Sequence, residues 1–337
     1  MMIRLTDKLP VVLDVTLRDG GYLNDWCFSD QAVMKAVATN VLADVDVIEI
    51  GYCDDLASLP EAAGCPPKMI RRIRSQVGES IILAGMIRPN VDDPAQVLEK
   101  RAGLIDLLRI PVDVSSPHRA ISLAQQCLAH GFQVTLNFTS VSSFSLERIA
   151  AVTERVPQEV AAIYLADSRG AVRVEEVPRI VSAVRSKWNG AIGYHAHNNL
   201  GLAIETSRSA LLSGCTWIDG SIAGVGIGGR NLRLEDAIAL ASEHRDDLSP
   251  DEAAFLVSEA DLGLAAPGAE YRLFQLAGQC NIRQEWVLPL IDRLGSGRTL
   301  DLLTSMPRRP WFCESDLEPF IAALKQKEIL DDSNANL

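Results

Sequence analysis

Val160-Ala-Ala-Ile-Tyr-Leu-Ala166-Asp-Ser-Arg-Gly170 and Ala191-Ile-Gly-Tyr-His-Ala-His-Asn-Asn-Leu-Gly201 bracket the segment that decides the fold. Each is an apolar run of strand length that ends in polar, ligand-type side chains. Residues 175–187 between them read as a helix. Runs that are apolar on both faces are the mark of buried parallel strands, and a strand, a helix and a strand in succession make a parallel crossover unit. The same unit recurs in both directions. Upstream lie Val11-Val-Leu-Asp-Val-Thr-Leu17, Val45-Asp-Val-Ile-Glu-Ile-Gly51, Ile81-Ile-Leu-Ala-Gly-Met-Ile87, Leu104-Ile-Asp-Leu-Leu-Arg-Ile110 and Gln133-Val-Thr-Leu-Asn-Phe138. Downstream lies Trp217-Ile-Asp-Gly-Ser-Ile222. Helical patterns at 30–43, 67–76, 117–130, 145–156 and 202–213, with another starting near Glu235, separate the strands. Eight evenly spaced units predict an α/β fold, a closed (β/α)8 TIM barrel over residues 1–244, in preference to an open doubly wound sheet. Beyond residue 245 the alternation stops. Patterns near 250–262, 268–278, 284–294 and 315–327 predict a C-terminal helical domain over 245–337, with Asp331 to Leu337 as a polar tail.

Composition narrows the functional classes. The chain has 337 residues, 47% of them hydrophobic and 23% charged, as in ordinary soluble proteins. A net charge of −12 leaves no basic excess to neutralise phosphates, so no nucleic-acid partner is expected. No run approaches the length of a membrane span, and the first residues lack a signal-peptide core. Seven scattered cysteines without a Cys-x-x-Cys read as reduced thiols, which predicts a cytoplasmic protein.

In a barrel of this kind chemistry collects at the C-terminal strand ends. On a strand, residues i and i+2 share a face, so His195 and His197 converge, about 7 Å apart along the chain. Two neutral imidazoles so placed suit one divalent cation. The other strand ends supply Arg18, Asp19, Glu49, Asp54, Asp55, Arg88, Asn137, Asp167, Ser168 and Asn231. Asp19, His195, His197 and Asn231 form a mixed oxygen and nitrogen set suited to Mn²⁺ or Mg²⁺, with Zn²⁺ or Co²⁺ as alternatives. Each residue also has a plainer reading. Arg18 can pair with a structural acid such as Glu49, Asp167-Ser168 can be an ordinary turn, and Asn231 can cap the next helix. Gly224-x-Gly226-x-x-Gly229 matches a dinucleotide fingerprint, but it follows the eighth strand rather than the first. Its glycines are better read as allowing a ligand carboxylate or phosphate to approach the backbone.

Thr16-Leu-Arg-Asp-Gly20, His195-Ala-His197 and the glycine-rich loop ending in Asn231 resemble the DRE-TIM metallolyase superfamily. Tyr164-Leu-Ala-Asp-Ser-Arg-Gly170, His195-Ala-His-Asn-Asn-Leu200 and Asp219-Gly-Ser-Ile-Ala-Gly-Val-Gly226 are most similar to its 4-hydroxy-2-oxovalerate aldolase branch. The resemblance spans about residues 11–240. It implies a class II pyruvate aldolase with Asp19, His195 and His197 on the metal, and Asn231 at a ligand position of the lyase and synthase branches. It further implies that Arg18 stabilises an enolate and that Ser168, with Asp167, meets the substrate carboxylate. The aldolases carry a histidine three residues beyond the aspartate, as acid/base; here that place holds Tyr22, the candidate for the role. The expected reaction is reversible cleavage of a 4-hydroxy-2-oxo acid to pyruvate and an aldehyde, Mn²⁺ being the favoured ion. Claisen-type acyl-CoA chemistry and a metal-binding barrel without turnover stay open, as does a homodimer. A partner dehydrogenase is not implied.

Overall fold

Eight parallel strands close on themselves in sequence order. They are β1 Val11–Asp14, β2 Val47–Tyr52, β3 Ile82–Met86, β4 Leu107–Asp113, β5 Gln133–Thr139, β6 Ala162–Asp167, β7 Ala191–Ala196 and β8 Trp217–Gly220. β1 pairs with both β2 and β8, which completes the ring. The computed structural model describes residues 8–53, 61–258, 260, 262–264 and 270–335. Asp54 and Asp55 fall outside the described residues. Among the described residues no helix is long and apolar enough to cross a membrane.

Several helices begin where a short polar side chain satisfies free backbone N–H groups. Ser29 accepts from Ala32 N at 3.1 Å to start Asp30–Leu42, and Ser145 accepts from Arg148 N at 3.2 Å to start Leu146–Thr153. Asp93 does the same for Gln96 N at 3.0 Å, opening Pro94–Arg101, a helix the sequence reading did not anticipate.

The barrel interior is filled in layers by residues two apart on each strand. The lower layers are apolar: Val11, Leu13, Val47, Ile82, Ala84 and Leu107 pack with Tyr164 and Trp217. Gly193 faces the Tyr164 ring so closely that an added Cβ would lie 2.5 Å from it, so only glycine fits there. One step further along β2, β4 and β8 the interior positions are Glu49, Arg109 and Asp219, all fully or almost fully buried.

The first strand is shorter than the sequence suggested. It stops at Asp14, whose carboxylate takes the Thr16 N–H at 3.1 Å, its hydroxyl, and the Asn40 amide at 2.8 Å. The chain then turns into a helical turn, Thr16–Asp19, with Asp19 N bonded to Val15 O at 2.8 Å. Arg18 and Asp19 therefore sit on that turn above the barrel rather than on a strand end. β2 instead begins two residues later than expected and ends one later, at Tyr52, past an irregularity between Glu49 and Tyr52.

The C-terminal helices are Pro250–Ser258, Tyr271–Cys280, Val287–Leu294, Ser296–Ser305 and Glu318–Ala335. Ser296–Ser305 was not anticipated, and the last helix reaches into the segment expected to be a tail. Ala253 and Val257 join the barrel's core. A second core forms from Leu273 onward around Phe274, Ile282, Leu290, Leu302 and Trp311. Polar bonds fasten this unit over the barrel mouth. Arg169 donates to the carbonyls of Asn281 and Trp311. Asn199 donates to Phe274 O at 2.9 Å, and Gln284 bridges Gly229 N at 3.1 Å and Ser168 O at 3.0 Å.

Candidate metal centre and active site

Asp19, His195 and His197 are buried side by side, with one ligand atom from each all within 4.8 Å of one another. β7 delivers His195 at its end, in register with Ala166 of β6. His197 lies one residue past the strand and is held by an antiparallel bridge to Asn231. That bridge brings Asn231 to the same point: its amide donates to Asp19 Oδ2 at 2.6 Å and to Val225 O at 3.0 Å. All four residues named for the metal from sequence are thus brought together.

Their chemistry fits a divalent cation. His195 Nδ1 lies 3.0 Å from Asp219 Oδ2, the bond that keeps a proton on Nδ1 and leaves Nε2 as a donor to metal. The two Nε2 atoms face each other at 3.3 Å. His197 Nδ1 and Asn231 Oδ1 are buried with no hydrogen-bond partner among the described residues. Burial holds His197 down to about 4, against the opposing pull of Asp19, so the ring is neutral near pH 7. For Asp19 burial works upward, but Arg18 and the two histidines prevail and hold it at about 2. Two imidazoles, a carboxylate and an amide oxygen make the donor set expected for a metal that also binds substrate oxygens.

The glycine loop serves this set in a way not read from the sequence. A Cβ at Gly226 would lie 2.3 Å from Asn231 Nδ2 and 2.6 Å from Asp19 Oδ2. At Gly229 it would meet Asn199 at 2.5 Å, and at Gly228 it would meet Gln284 at 2.0 Å. The glycines make room for the protein's own side chains rather than for a ligand anion.

Arg18 is ordered from three sides. It pairs with Asp19, its Nε donates to Glu49 Oε2 at 2.8 Å, and its carbonyl accepts from Trp26 Nε1 at 2.9 Å. Glu49 also accepts from Arg109 at 3.0 Å, and Arg109 reaches Asp219 at 2.6 Å. A continuous buried chain therefore runs from Arg18 through Glu49, Arg109 and Asp219 to His195. Arg109 also lies over the Tyr164 ring, 4.4 Å from its centroid. Burial opposes ionisation of Asp219, yet Arg109 and His195 keep its carboxyl below the usual range.

A cavity of about 450 Å³ opens above the centre. Its wall includes Arg18, Asp19, Tyr22, Tyr52, Asn137, Ser168, His195 and His197, and also Arg283 and Glu285 from the C-terminal unit. The Tyr22 and Tyr52 hydroxyls are 2.6 Å apart. Burial raises both above the ordinary phenol value, so both stay protonated near neutrality. Ser168 reaches the wall, with its Oγ accepting from Ser140 N at 3.0 Å. Asp167 is not brought to it. Its two oxygens accept from Ala171 N at 2.9 Å and Val172 N at 3.0 Å, folding its own loop, and burial lifts it to about 6. The sequence reading missed Tyr52, Arg109, Asp219 and Arg283. Arg109 and Asp219 did leave a signal, a lone charge inside an apolar strand at an inward position.

Fold and donor set together are those of a (β/α)8 barrel with a candidate divalent-metal site at its mouth. An HMGL-like family signature matches residues 10–254, and the chain belongs to that family, within the DRE-TIM metallolyase superfamily. It is 27% identical over 243 residues to an oxaloacetate decarboxylase of Mycobacterium tuberculosis, covering 71% of this chain and 72% of that protein. It is 29% identical over 240 residues to a 4-hydroxy-2-oxovalerate aldolase of Thermus thermophilus, covering 68% of each. The HMG-CoA lyase structure from Brucella melitensis shares the fold, with a TM-score of 0.62, 18% identity, and coverage of 74% of this chain and 97% of that one. The family depends on a divalent metal, and the two relatives' names are those of lyases acting on 2-oxo acids.

Proposed function

We propose that this protein is a divalent-metal-dependent carbon–carbon lyase that cleaves a 4-hydroxy-2-oxo acid into pyruvate and an aldehyde. The observation that carries the reading is Arg18, held between Asp19 and Glu49 beside the Asp19, His195, His197 and Asn231 donor set, on the wall of the cavity that Tyr22 and Tyr52 also line. A cation held by those four residues, Mn²⁺ in our reading, supplies Lewis acidity toward a 2-oxo acid. Arg18 neutralises charge that develops on the keto oxygen as the C3–C4 bond breaks, a task suited to a preordered guanidinium. Ser168 meets the substrate carboxylate, and Asp167 acts by fixing the Ser168 loop. Tyr22, oriented by its hydrogen bond to Tyr52, takes the 4-hydroxyl proton as it gives its own to solvent water at its exposed side, so both phenols end protonated. With both phenols protonated, this works as a hydrogen-bonded relay and not as a preformed base. Seven free thiols suit a cytoplasmic setting.

Decarboxylation of oxaloacetate is the second reading. It releases the same pyruvate enolate, needs no base at a 4-hydroxyl, and is favoured by the raised hydroxyl of Tyr22. Pyruvate release from 4-hydroxy-2-oxovalerate and from oxaloacetate, measured with added Mn²⁺, tests both. Tyr22→Phe is expected to abolish the first reaction and spare the second. Equal loss in both would mean that Tyr22 supports the metal site instead, and no pyruvate from either acid would defeat the lyase reading.

A further inference from the structure

The cavity carries more positive charge than a 2-oxo monoacid requires. Four arginines, Arg18, Arg88, Arg119 and Arg283, line it against three acids, Asp19, Asp113 and Glu285. This is a local cationic excess in a chain whose formal charge is −12, before any bound cation is counted. Arg18 is paired with Asp19 and with Glu49 beneath the cavity. Asp113 is occupied by Ser115, accepting its N–H at 2.8 Å and its hydroxyl at 2.6 Å. Arg88 stands over the Tyr52 ring, 5.1 Å from its centroid. Arg119 and Arg283 form no ion pair among the described residues; Arg283 lies 6.0 Å from the Trp286 ring, and Glu285 is the remaining acid on its side of the wall.

The two come from separate parts of the chain. Arg119 is in the first turn of His118–Ala129, which also gives the wall Ala120 and, just before it, Ser116. That twelve-residue helix has neither a side-chain cap nor an acid in its first turn, so the positive end of its dipole adds to Arg119. Arg283 belongs to the turn that leads from the second core to Gln284, whose side chain fixes that turn to Ser168 and Gly229. Unpaired guanidiniums converging on one cavity are the arrangement that recognises a carboxylate or phosphate by charge-assisted hydrogen bonds.

We propose that the substrate carries a second anionic group, a carboxylate or a phosphate, at the end remote from its 2-oxo acid, and that Arg119 and Arg283 bind it with Arg88 alongside. This rests on the 2-oxo acid reading above. The aldehyde released is then itself an acid or a phosphate ester.

The test is calorimetric titration of the full chain supplemented with Mn²⁺, using 2-oxoglutarate and 2-oxopentanoate. The two acids have the same length and differ in a terminal carboxylate against a methyl. Neither bears the 4-hydroxyl that cleavage requires, so binding is read apart from turnover. The diacid is expected to bind about ten-fold tighter or more. Arg119→Gln and Arg283→Gln are each expected to lower that ratio, and the double variant to bring it near one. Because the two residues lie on different elements, a folding defect in one variant leaves the other to decide. A parallel titration with 2-oxo-4-phosphonobutanoate distinguishes phosphate from carboxylate, the tighter of the two diacids naming the group. Equal affinity for mono- and diacids, or a preference that survives the double substitution, overturns the proposal while leaving the 2-oxo acid reading standing. Failure of every 2-oxo acid to bind removes both.

Discussion

The lower and upper halves of the barrel interior are built from the same strands and filled by opposite chemistry. On β2 the inward residue changes from Val47 to Glu49, on β4 from Leu107 to Arg109, and on β8 from Trp217 to Asp219. Two residues of travel replace close-packed apolar side chains with a chain of paired ions. The lower half is held by burial and packing, where volume matters and polarity is excluded. The upper half holds charges that each cost several kcal/mol to bury, offset only while every partner is present. The lower layers stabilise the ring. The upper layer fixes the orientation of Arg18 at one end and His195 at the other, and contributes little net stability for doing so.

Three experiments probe this contrast, beginning with the largest effect. Chelation, or His195→Ala, should reduce lyase activity to background while the thermal melt of the barrel stays cooperative. Mn²⁺ should restore the chelated wild type and leave the variant weak, with metal affinity down about ten-fold or more. Full turnover by metal-free protein would break the comparison at its upper end.

Arg109→Met removes the cation between Glu49 and Asp219 and leaves two buried carboxylates facing each other, at a cost of about 3–5 kcal/mol. Leu13→Ala in the lower half costs about 2–5 kcal/mol by opening a cavity. Denaturant titration should therefore give losses of similar size, whereas kinetics at a temperature where both are folded should not. The Leu13 variant is expected to keep kcat/KM, and the Arg109 variant to lose it with a weakened metal site. If both keep it, the ion chain is only structural.

Arg18→Ala is the smallest of the three, a loss of about 10²–10³-fold in kcat with metal affinity retained, as for one oxyanion donor. Lysine should rescue poorly, because it lacks the fork that meets Glu49 and Asp19 together. Turnover within a few-fold of wild type would assign Arg18 to the ion chain alone.

The contrast also explains what the sequence could reveal. Strands buried on both faces read as apolar runs whatever their partners, so the eight units and their closure were legible. His195 and His197 were legible because two residues on one strand need no knowledge of the rest. The link from Arg109 to Asp219 spans 110 positions and is set by barrel curvature, which no local pattern encodes. Tyr52 was missed because β2 continues through an irregularity. Asp167 was read as facing substrate because a strand-end carboxylate looks the same whether it points into the cavity or, as here, back at Ala171 and Val172.

Gln284 joins the Ser168 loop to the Gly229 loop from a helix turn more than fifty residues beyond either the metal donors or the barrel's last strand. That one amide ties the second core to the loops that frame the site. The candidate metal donors lie on the barrel, while the cavity wall is shared, with Arg88 and Arg119 coming from the barrel and Arg283 and Glu285 from the second core. Replacement of residues 271–321 would then change one side of the wall that meets the departing fragment without touching a metal donor.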